Sequence, residues 1–406
     1  MSGSIGDNPY RASGVVAAAS GGGGVSWQDV TTGTTLSATA GNGYPINTTS
    51  NVCTITLPAA AAVGDQIIFT DYARTWNSYA VTLDQGSLKF QGYDDPNPEY
   101  DTKGESVHIV YMDATQGWIP INDGAVADEV PQPYDIDFLV IAGGAAGGGT
   151  SNAGGGGAGG YRTATETGFN TGTAITITVG DGGASVSSGQ GNSGSASSFS
   201  GSGLTTISSA GGGGGGATNV SNPGLPGGSG GGAGPEGAAG AGNTPTTDPV
   251  QGYDGGVGYA PGPSYAAGGG GGSSEVGYDG SSGGGGNGGD GVASSISGSS
   301  VTRGGGGGGG TDVGGGATIG SGGAGGGGDA STTGDGSPGT VNTGSGGGGC
   351  ETAHNSGAGG KGVVVLSMPD ENYSGTTTGS PTVATGQGGG SDTTTLVFTG
   401  SGSYTS

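Results

Sequence analysis

Four tyrosines and two aspartates between residues 253 and 279 carry the side chains best suited to surface recognition. The Tyr-Asp-Gly sequence occurs twice among them, and the six residues are Tyr253, Asp254, Tyr259, Tyr265, Tyr278 and Asp279. Tyrosine rings offer large contact areas, and carboxylates accept hydrogen bonds from hydroxyl groups, so this set is a candidate receptor-binding site for a sugar or a protein. The alternative interpretation is structural, with the tyrosines capping the end of a glycine-rich bundle.

Catalytic residues find little support in the sequence. A nucleophile needs a neighbouring base, and the chain has two histidines, His108 and His354. Cys350 precedes His354 by four residues, but no helix is predicted to align this pair. Paired carboxylates of a glycosidase stay open as an alternative, although nothing singles out a pair. We therefore predict no enzyme, no catalytic residue and no cofactor.

Metal and phosphate sites are also not predicted. The acidic loop at residues 94–101 (DDPNPEYD) has oxygen ligands of the kind calcium prefers, but its spacing fits no EF-hand, and a solvated loop is the other interpretation. The strand and glycines at residues 138–149 lack the spacing and the helix of a dinucleotide-binding motif. Lys361 is followed by Gly362, where a phosphate-binding loop needs Ser or Thr.

The charge balance excludes several partners. The chain carries 31 acidic and 7 basic residues, a net charge of −24, and nucleic-acid binding requires the opposite sign. No stretch approaches the ~20 apolar residues of a membrane span, and no signal peptide is recognised. The two cysteines, Cys53 and Cys350, form no disulfide or zinc pattern. We expect no nucleic-acid partner and no membrane insertion.

The elements that would hold the tyrosine site are dominated by glycine. Most of the 110 glycines lie beyond residue 142, in pure runs such as residues 211–216 and 304–310. A Gly/Ser linker would be a random coil, but apolar strands at residues 137–141 and 363–368 bracket the block. We therefore predict packed polyglycine II-type helices, which are left-handed, repeat every three residues and bond sideways to their neighbours. A largely disordered block is the alternative.

The remaining chain is predicted to be all-β, with essentially no α-helix. Residues 1–24 are predicted to be a docking arm with Asn8, Pro9, Tyr10 and Arg11 as contact residues. Residues 25–125 indicate a small antiparallel sandwich or barrel, with Trp27, Trp76 and Trp118 in its core or at an interface. A linker at residues 126–133, a glycine-rich domain at 134–369 and a terminal β segment at 370–406 follow.

Several segments resemble the glycine-rich domain of bacteriophage tail fibres and adhesins. They are residues 137–144 (DFLVIAGG), 154–162 (GGGGAGGYR) and 362–370 (GVVVLSMPD), together with the terminal segment 395–404 (TLVFTGSGSY). Residues 54–58 (TITLP), 64–65 (GD) and 117–118 (GW) resemble small β modules in tail fibres of phages that infect aquatic bacteria. The resemblance is one of composition and of bracketing strands.

This resemblance implies a homotrimeric virion protein. Its N-terminal arm would dock on a tail or adaptor protein, and its glycine-rich end would meet a host surface glycan or protein. It would be located in the virion and become extracellular after host lysis. The alternatives are a capsid or neck fibre with a structural role, a glycine-bundle ice-binding or matrix protein, and a fibre-borne depolymerase.

Overall fold

The computed structural model describes residues 24–125, 133–149, 151–170, 172–218, 222–261, 265–312, 317–351, 354–388 and 392–406. The proposed docking residues Asn8, Pro9, Tyr10 and Arg11 lie outside the described residues, as does most of the predicted linker. The chain divides into two compact units, Met1–Val130 and Pro131–Ser406, called here the N-terminal and C-terminal units.

The N-terminal unit is a sandwich of two β-sheets. The first sheet contains β1 (Ser26–Trp27), β3 (Asn42–Ile46), β5 (Gln66–Asp71), β8 (Glu105–Asp113) and β9 (Gly117–Ala125), in that order. The second contains β2 (Thr35–Ser37), β4 (Cys53–Thr56), β6 (Val81–Asp84) and β7 (Glu99–Tyr100). Alternate side chains of β5 and β8 are buried, as expected for strands with one face on a core.

The predicted sandwich is thus confirmed as all-β, but the prediction of purely antiparallel strands is wrong. Strand β3 pairs with β1 and β5 in parallel, and β4 pairs with β2 and β6 in parallel. Successive strands from β1 to β6 lie alternately in the first and the second sheet. The antiparallel pairs are β5 with β8, β8 with β9 and β6 with β7.

One apolar core fills the space between these sheets. Trp76 and Trp118 are fully buried in it, as predicted, and the Phe69 ring stacks on that of Tyr44 with centroids 6.0 Å apart. Trp27 lies outside this core and is 55% exposed. Its indole instead covers Gly43, where a Cβ would come within 2.8 Å of the ring.

The C-terminal unit contains a second sandwich of two antiparallel sheets. One sheet has the order β11 (Tyr161–Phe169), β10 (Tyr134–Ile141), β17 (Val363–Pro369), β20 (Thr393–Phe398) and β19 (Thr382–Gln387). The other has the order β14 (Ile207–Ser209), β13 (Ser197–Gly201), β12 (Ala174–Thr178), β21 (Gly402–Thr405) and β18 (Thr376–Thr378). A short 3₁₀ turn covers Asp370–Asn372.

The two sheets share an apolar core that includes Phe138, Phe199, Leu366 and Phe398. The bracketing strands are adjacent, because β10 and β17 pair from Asp137–Ser367 to Ile141–Val363. The first and last residues of the glycine-rich block therefore lie side by side, at one end of two inner strands of this sandwich. The last strands of the chain complete both sheets, through β19 and β20 in one and β18 and β21 in the other.

The sandwich strands continue without interruption into extended glycine-rich segments. Strand β10 leads into residues 142–149, residues 153–160 lead back into β11, and β14 leads into residues 210–217. A hairpin of β15 (Val292–Ser294) and β16 (Val301–Arg303) brings the chain into residues 304–310 in the same way. The extended segments between residues 142 and 362 form what we call the glycine bundle.

Candidate functional site

The segment 153–160 shows how the glycine bundle is held together. Its backbone amides donate to three neighbouring segments in rotation, and every third residue returns to the same neighbour. The donor–acceptor pairs are Gly155–Gly268 (3.1 Å), Gly156–Gly347 (2.9 Å), Gly157–Gly213 (2.9 Å), Ala158–Gly271 (3.0 Å), Gly159–Gly344 (2.8 Å) and Gly160–Ala210 (2.8 Å). This repeat of three, with bonds only between segments, is the geometry predicted for polyglycine II-type packing.

The carbonyl groups of the same segment accept bonds from three further segments. The donors lie in residues 142–148, 229–232 and 307–310. Six segments therefore surround residues 153–160. The segment 304–310 is bonded to six others in the same manner. Buried peptide groups in both segments bond to peptide groups of neighbouring segments. They are therefore buried without the free-energy cost of an unpaired backbone group.

Glycine is required in this packing because there is no room for a Cβ. A Cβ on Gly155 would lie 2.0 Å from the carbonyl oxygen of Gly307, and one on Gly307 would lie 2.0 Å from that of Gly347. Both positions are at the centre of the bundle. Any side chain there would displace a neighbouring backbone.

At the rim of the bundle, where a segment lacks neighbouring segments on one side, aspartate side chains accept hydrogen bonds from backbone amides. Asp254 accepts a bond from the Gly242 amide at 2.7 Å, and Asp279 accepts one from the Val257 amide at 2.9 Å. Other rim carboxylates do the same, at Asp290, Asp329 and Asp335. The aspartates of both Tyr-Asp-Gly sequences therefore have one carboxylate oxygen engaged in holding adjacent segments together.

The structure brings four of the six predicted site residues onto two neighbouring segments. Residues 251–257 carry Tyr253 and Asp254, residues 275–280 carry Tyr278 and Asp279, and the Gly277 amide donates to the Asp254 carbonyl at 2.9 Å. Both segments expose apolar side chains outward. We call Tyr253, Val257, Val276 and Tyr278, which are 36–52% exposed, the tyrosine face.

Tyr278 is fixed in this face by an acidic neighbour. Its hydroxyl donates to Glu275 Oε1 at 2.8 Å. This hydrogen bond raises the pKa of Tyr278, because the phenol must stay protonated to donate it. The ring is therefore held in one orientation on the surface of the bundle, which lowers the entropy that binding would cost.

Tyr259 and Tyr265 lie elsewhere, at the end of the bundle remote from the sandwich. The Tyr259 backbone amide donates to the Ala266 carbonyl at 2.7 Å, and the Asp312 backbone amide donates to the Tyr265 carbonyl at 3.0 Å. This end of the bundle contains the turn at residues 151–152, and β10 and β11 lie at the opposite end. The predicted tyrosine constellation is thus divided between one side of the bundle and its far end.

A cavity of about 360 Å³ opens beside Tyr253, between the glycine bundle and the sandwich of the C-terminal unit. Its wall includes Tyr253, Arg162, Asp248, Ser273 and Val292. Sequence reasoning identified only Tyr253 among these. Arg162 carried a weak signal, because the chain has only seven basic residues and this one lies two positions after a glycine segment. Ser273 carried none, because it resembles every other serine insert.

Other residues considered from the sequence have structural surroundings. The Cys350 thiol donates to the carbonyl of His354 at 3.3 Å, while the His354 ring lies 3.9 Å from Asp335. The loop at residues 94–101 contains Asp94, which is 3.7 Å from Lys89. Across the described ranges, no group of three or more His, Cys, Asp or Glu side chains could hold a metal ion. Nor does any helix there have the length and hydropathy to cross a bilayer.

Comparison with known families places the chain. Residues 121–369, more than half of the sequence, match the model of the family described as Glycine-rich domain. The chain belongs to this family. No curated protein matches the sequence significantly.

Proposed function

We propose that this protein is a bacteriophage tail-fibre or adhesin subunit that recognises the host cell surface through its glycine bundle. Membership of the Glycine-rich domain family and the resemblance of residues 137–144 and 362–370 to tail-fibre sequences support the proposal. In this proposal residues 1–24 attach the protein to a tail or adaptor protein, and the subunits form a homotrimer. The protein is a binding component of the virion rather than an enzyme.

The observation that carries the proposal is the tyrosine face. Tyr278 is 52% exposed. Val276, on the same segment, is 50% exposed, and Val257, on the adjoining segment, is 48% exposed. The interior of the bundle needs no such side chains for cohesion, since its peptide groups bond to one another. Aromatic and aliphatic groups held outward on a rigid backbone lattice are the arrangement expected of a binding surface.

The proposal is tested by adhesion of the purified, fluorescently labelled chain to a panel of intact aquatic bacteria. The double variant Tyr253→Ala/Tyr278→Ala should lose most binding to any strain that the wild type binds. The matched control is Tyr72→Ala/Tyr93→Ala, which removes two tyrosines of the N-terminal unit that are even more exposed and should bind normally. Equal loss in both variants, or adhesion to no strain, would contradict the proposal.

A further inference from the structure

The cavity beside Tyr253 has a wall of mixed chemistry. Its apolar part comes from Ile207, Pro249, Val250 and Val292, and the Tyr253 ring stands at its border. Its volume of about 360 Å³ is at the small end of the ~300–1,000 Å³ found for ligand pockets. A ligand of this size has one or two rings, with one face that can lie against an aromatic side chain.

One cationic and one anionic group line this cavity without pairing. Arg162 Nη1 makes a long contact of 3.4 Å to the Ser208 carbonyl, and Asp248, which also lines the cavity, is exposed. Neither takes part in an ion pair among the described residues. A charged ligand would meet one of these groups unfavourably. A neutral ligand with several hydroxyl groups would satisfy both, because a hydroxyl both donates and accepts.

A buried serine borders the cavity without offering a ligand its hydroxyl. Ser273 lines the cavity and is only 6% exposed, and its Oγ has no hydrogen-bond partner within the described structure. This hydroxyl packs against Gly304, where a Cβ would lie 2.1 Å from the Oγ. The polar groups of the cavity that a ligand can reach are therefore those of Arg162 and Asp248.

We propose that this cavity binds a neutral hexose unit of a surface glycan. Tyr253 stacks on the apolar face of the sugar ring, and Asp248 and Arg162 bind its hydroxyls. This inference rests on the proposed function, because it names the chemical class that the binding surface recognises.

A second cavity gives room for the next unit of a glycan chain. It also measures about 360 Å³ and adjoins the first along β11, at Thr163 and Ala164. Its wall is rich in serine and threonine and includes Asp137. Hydroxyl-lined grooves of this kind suit a polyol, which exchanges hydrogen bonds with them.

The test is saturation-transfer NMR on the full chain with methyl glucoside, methyl galactoside, methyl mannoside and N-acetylglucosamine. At least one sugar should show transfer to its ring protons. Tyr253→Ala should weaken that binding at least about tenfold, and Asp248→Ala should weaken it measurably. Tyr72→Ala, which removes an exposed tyrosine of the N-terminal unit, is the matched control and should bind the sugar like the wild type.

Transfer to none of the four sugars, or equal transfer in the wild type and Tyr253→Ala, would overturn the inference. Circular dichroism melting of each variant shows whether a loss reflects unfolding; if Tyr253→Ala is unfolded, Asp248→Ala decides. The outcome is separable from the adhesion experiment. A chain that adheres to cells but binds no sugar refutes the hexose site alone, whereas one that binds sugar but no cells refutes the proposed function.

Discussion

The N-terminal unit and the glycine bundle bury their peptide groups by opposite means. In the N-terminal unit, β-ladders pair the backbone and large side chains such as Phe69, Trp76 and Trp118 fill the space between two sheets. In the bundle, each interior segment bonds to six others, and a single methyl group at Gly155 would not fit. The comparison teaches that close packing can depend on side chains in one region of a molecule and on their absence in another.

The largest effect is expected from removal of a core ring in the N-terminal unit. Phe69→Ala should lower the free energy of unfolding of this unit by about 3–5 kcal/mol, through lost apolar burial and the cavity left behind. All three tryptophans lie in this unit, so urea unfolding followed by tryptophan fluorescence reports on it. Its counterpart Ala158→Gly, at a fully buried bundle position, should cost the C-terminal unit only roughly 1 kcal/mol, measured by amide hydrogen exchange of the bundle. Similar losses in the two variants would contradict the comparison.

The reverse substitution should damage the bundle. Gly155→Ala places a Cβ 2.0 Å from the Gly307 oxygen and should cost about 3 kcal/mol through displaced backbone. Amide hydrogen exchange of residues 304–310 should accelerate, while tryptophan fluorescence melting stays unchanged. The control is Gly400→Ala, where a Cβ meets no atom within 4 Å. Slow exchange in Gly155→Ala would show that the bundle tolerates side chains.

A smaller effect is expected at the rim of the bundle. Asp279→Ala removes the acceptor of the Val257 amide and should cost about 1 kcal/mol, the net value of one hydrogen bond. Faster exchange of the Val257 amide is the measurement. Asp279→Asn keeps an oxygen in the same place and should restore slow exchange. Failure of the asparagine variant to do so would indicate that charge, not geometry, joins these segments.

The smallest effect is a pH dependence confined to one rim contact. Hydrogen bonds from the backbone amide and side chain of Asn355 lower the pKa of Asp335, with a contribution from His354. A lowered folded-state pKa means that the contact stabilises the protein above the ordinary aspartate value of about 3.9. The contribution is lost as the pH falls through the lowered folded-state value. NMR titration of the Asn355 amide should show this transition, and Asp335→Asn should abolish it.

The sequence was sufficient to predict the bundle, because glycine runs bracketed by apolar strands leave few alternatives. The parallel pairing of β3 with β1 and β5 was not predictable, since strands alternate between two faces whichever way their neighbours run. The role of Asp254 and Asp279 was hidden for another reason. An aspartate after a tyrosine looks the same whether it faces a ligand or an amide of an adjoining segment. Only the neighbours of that segment decide, and they come from residues 242 and 257.

The threefold bonding of the bundle also affects the heat-capacity change that accompanies its unfolding. Exposure of hydrocarbon on unfolding raises the heat capacity and exposure of peptide groups lowers it. The N-terminal unit, with its apolar core, follows the usual curved dependence of stability on temperature and weakens on cooling. Segments such as 153–160 bury mostly peptide groups, so the unfolding of the bundle should lack the large positive heat-capacity change of an apolar core. The free energy of unfolding of the bundle should therefore rise steadily on cooling instead of passing through a maximum.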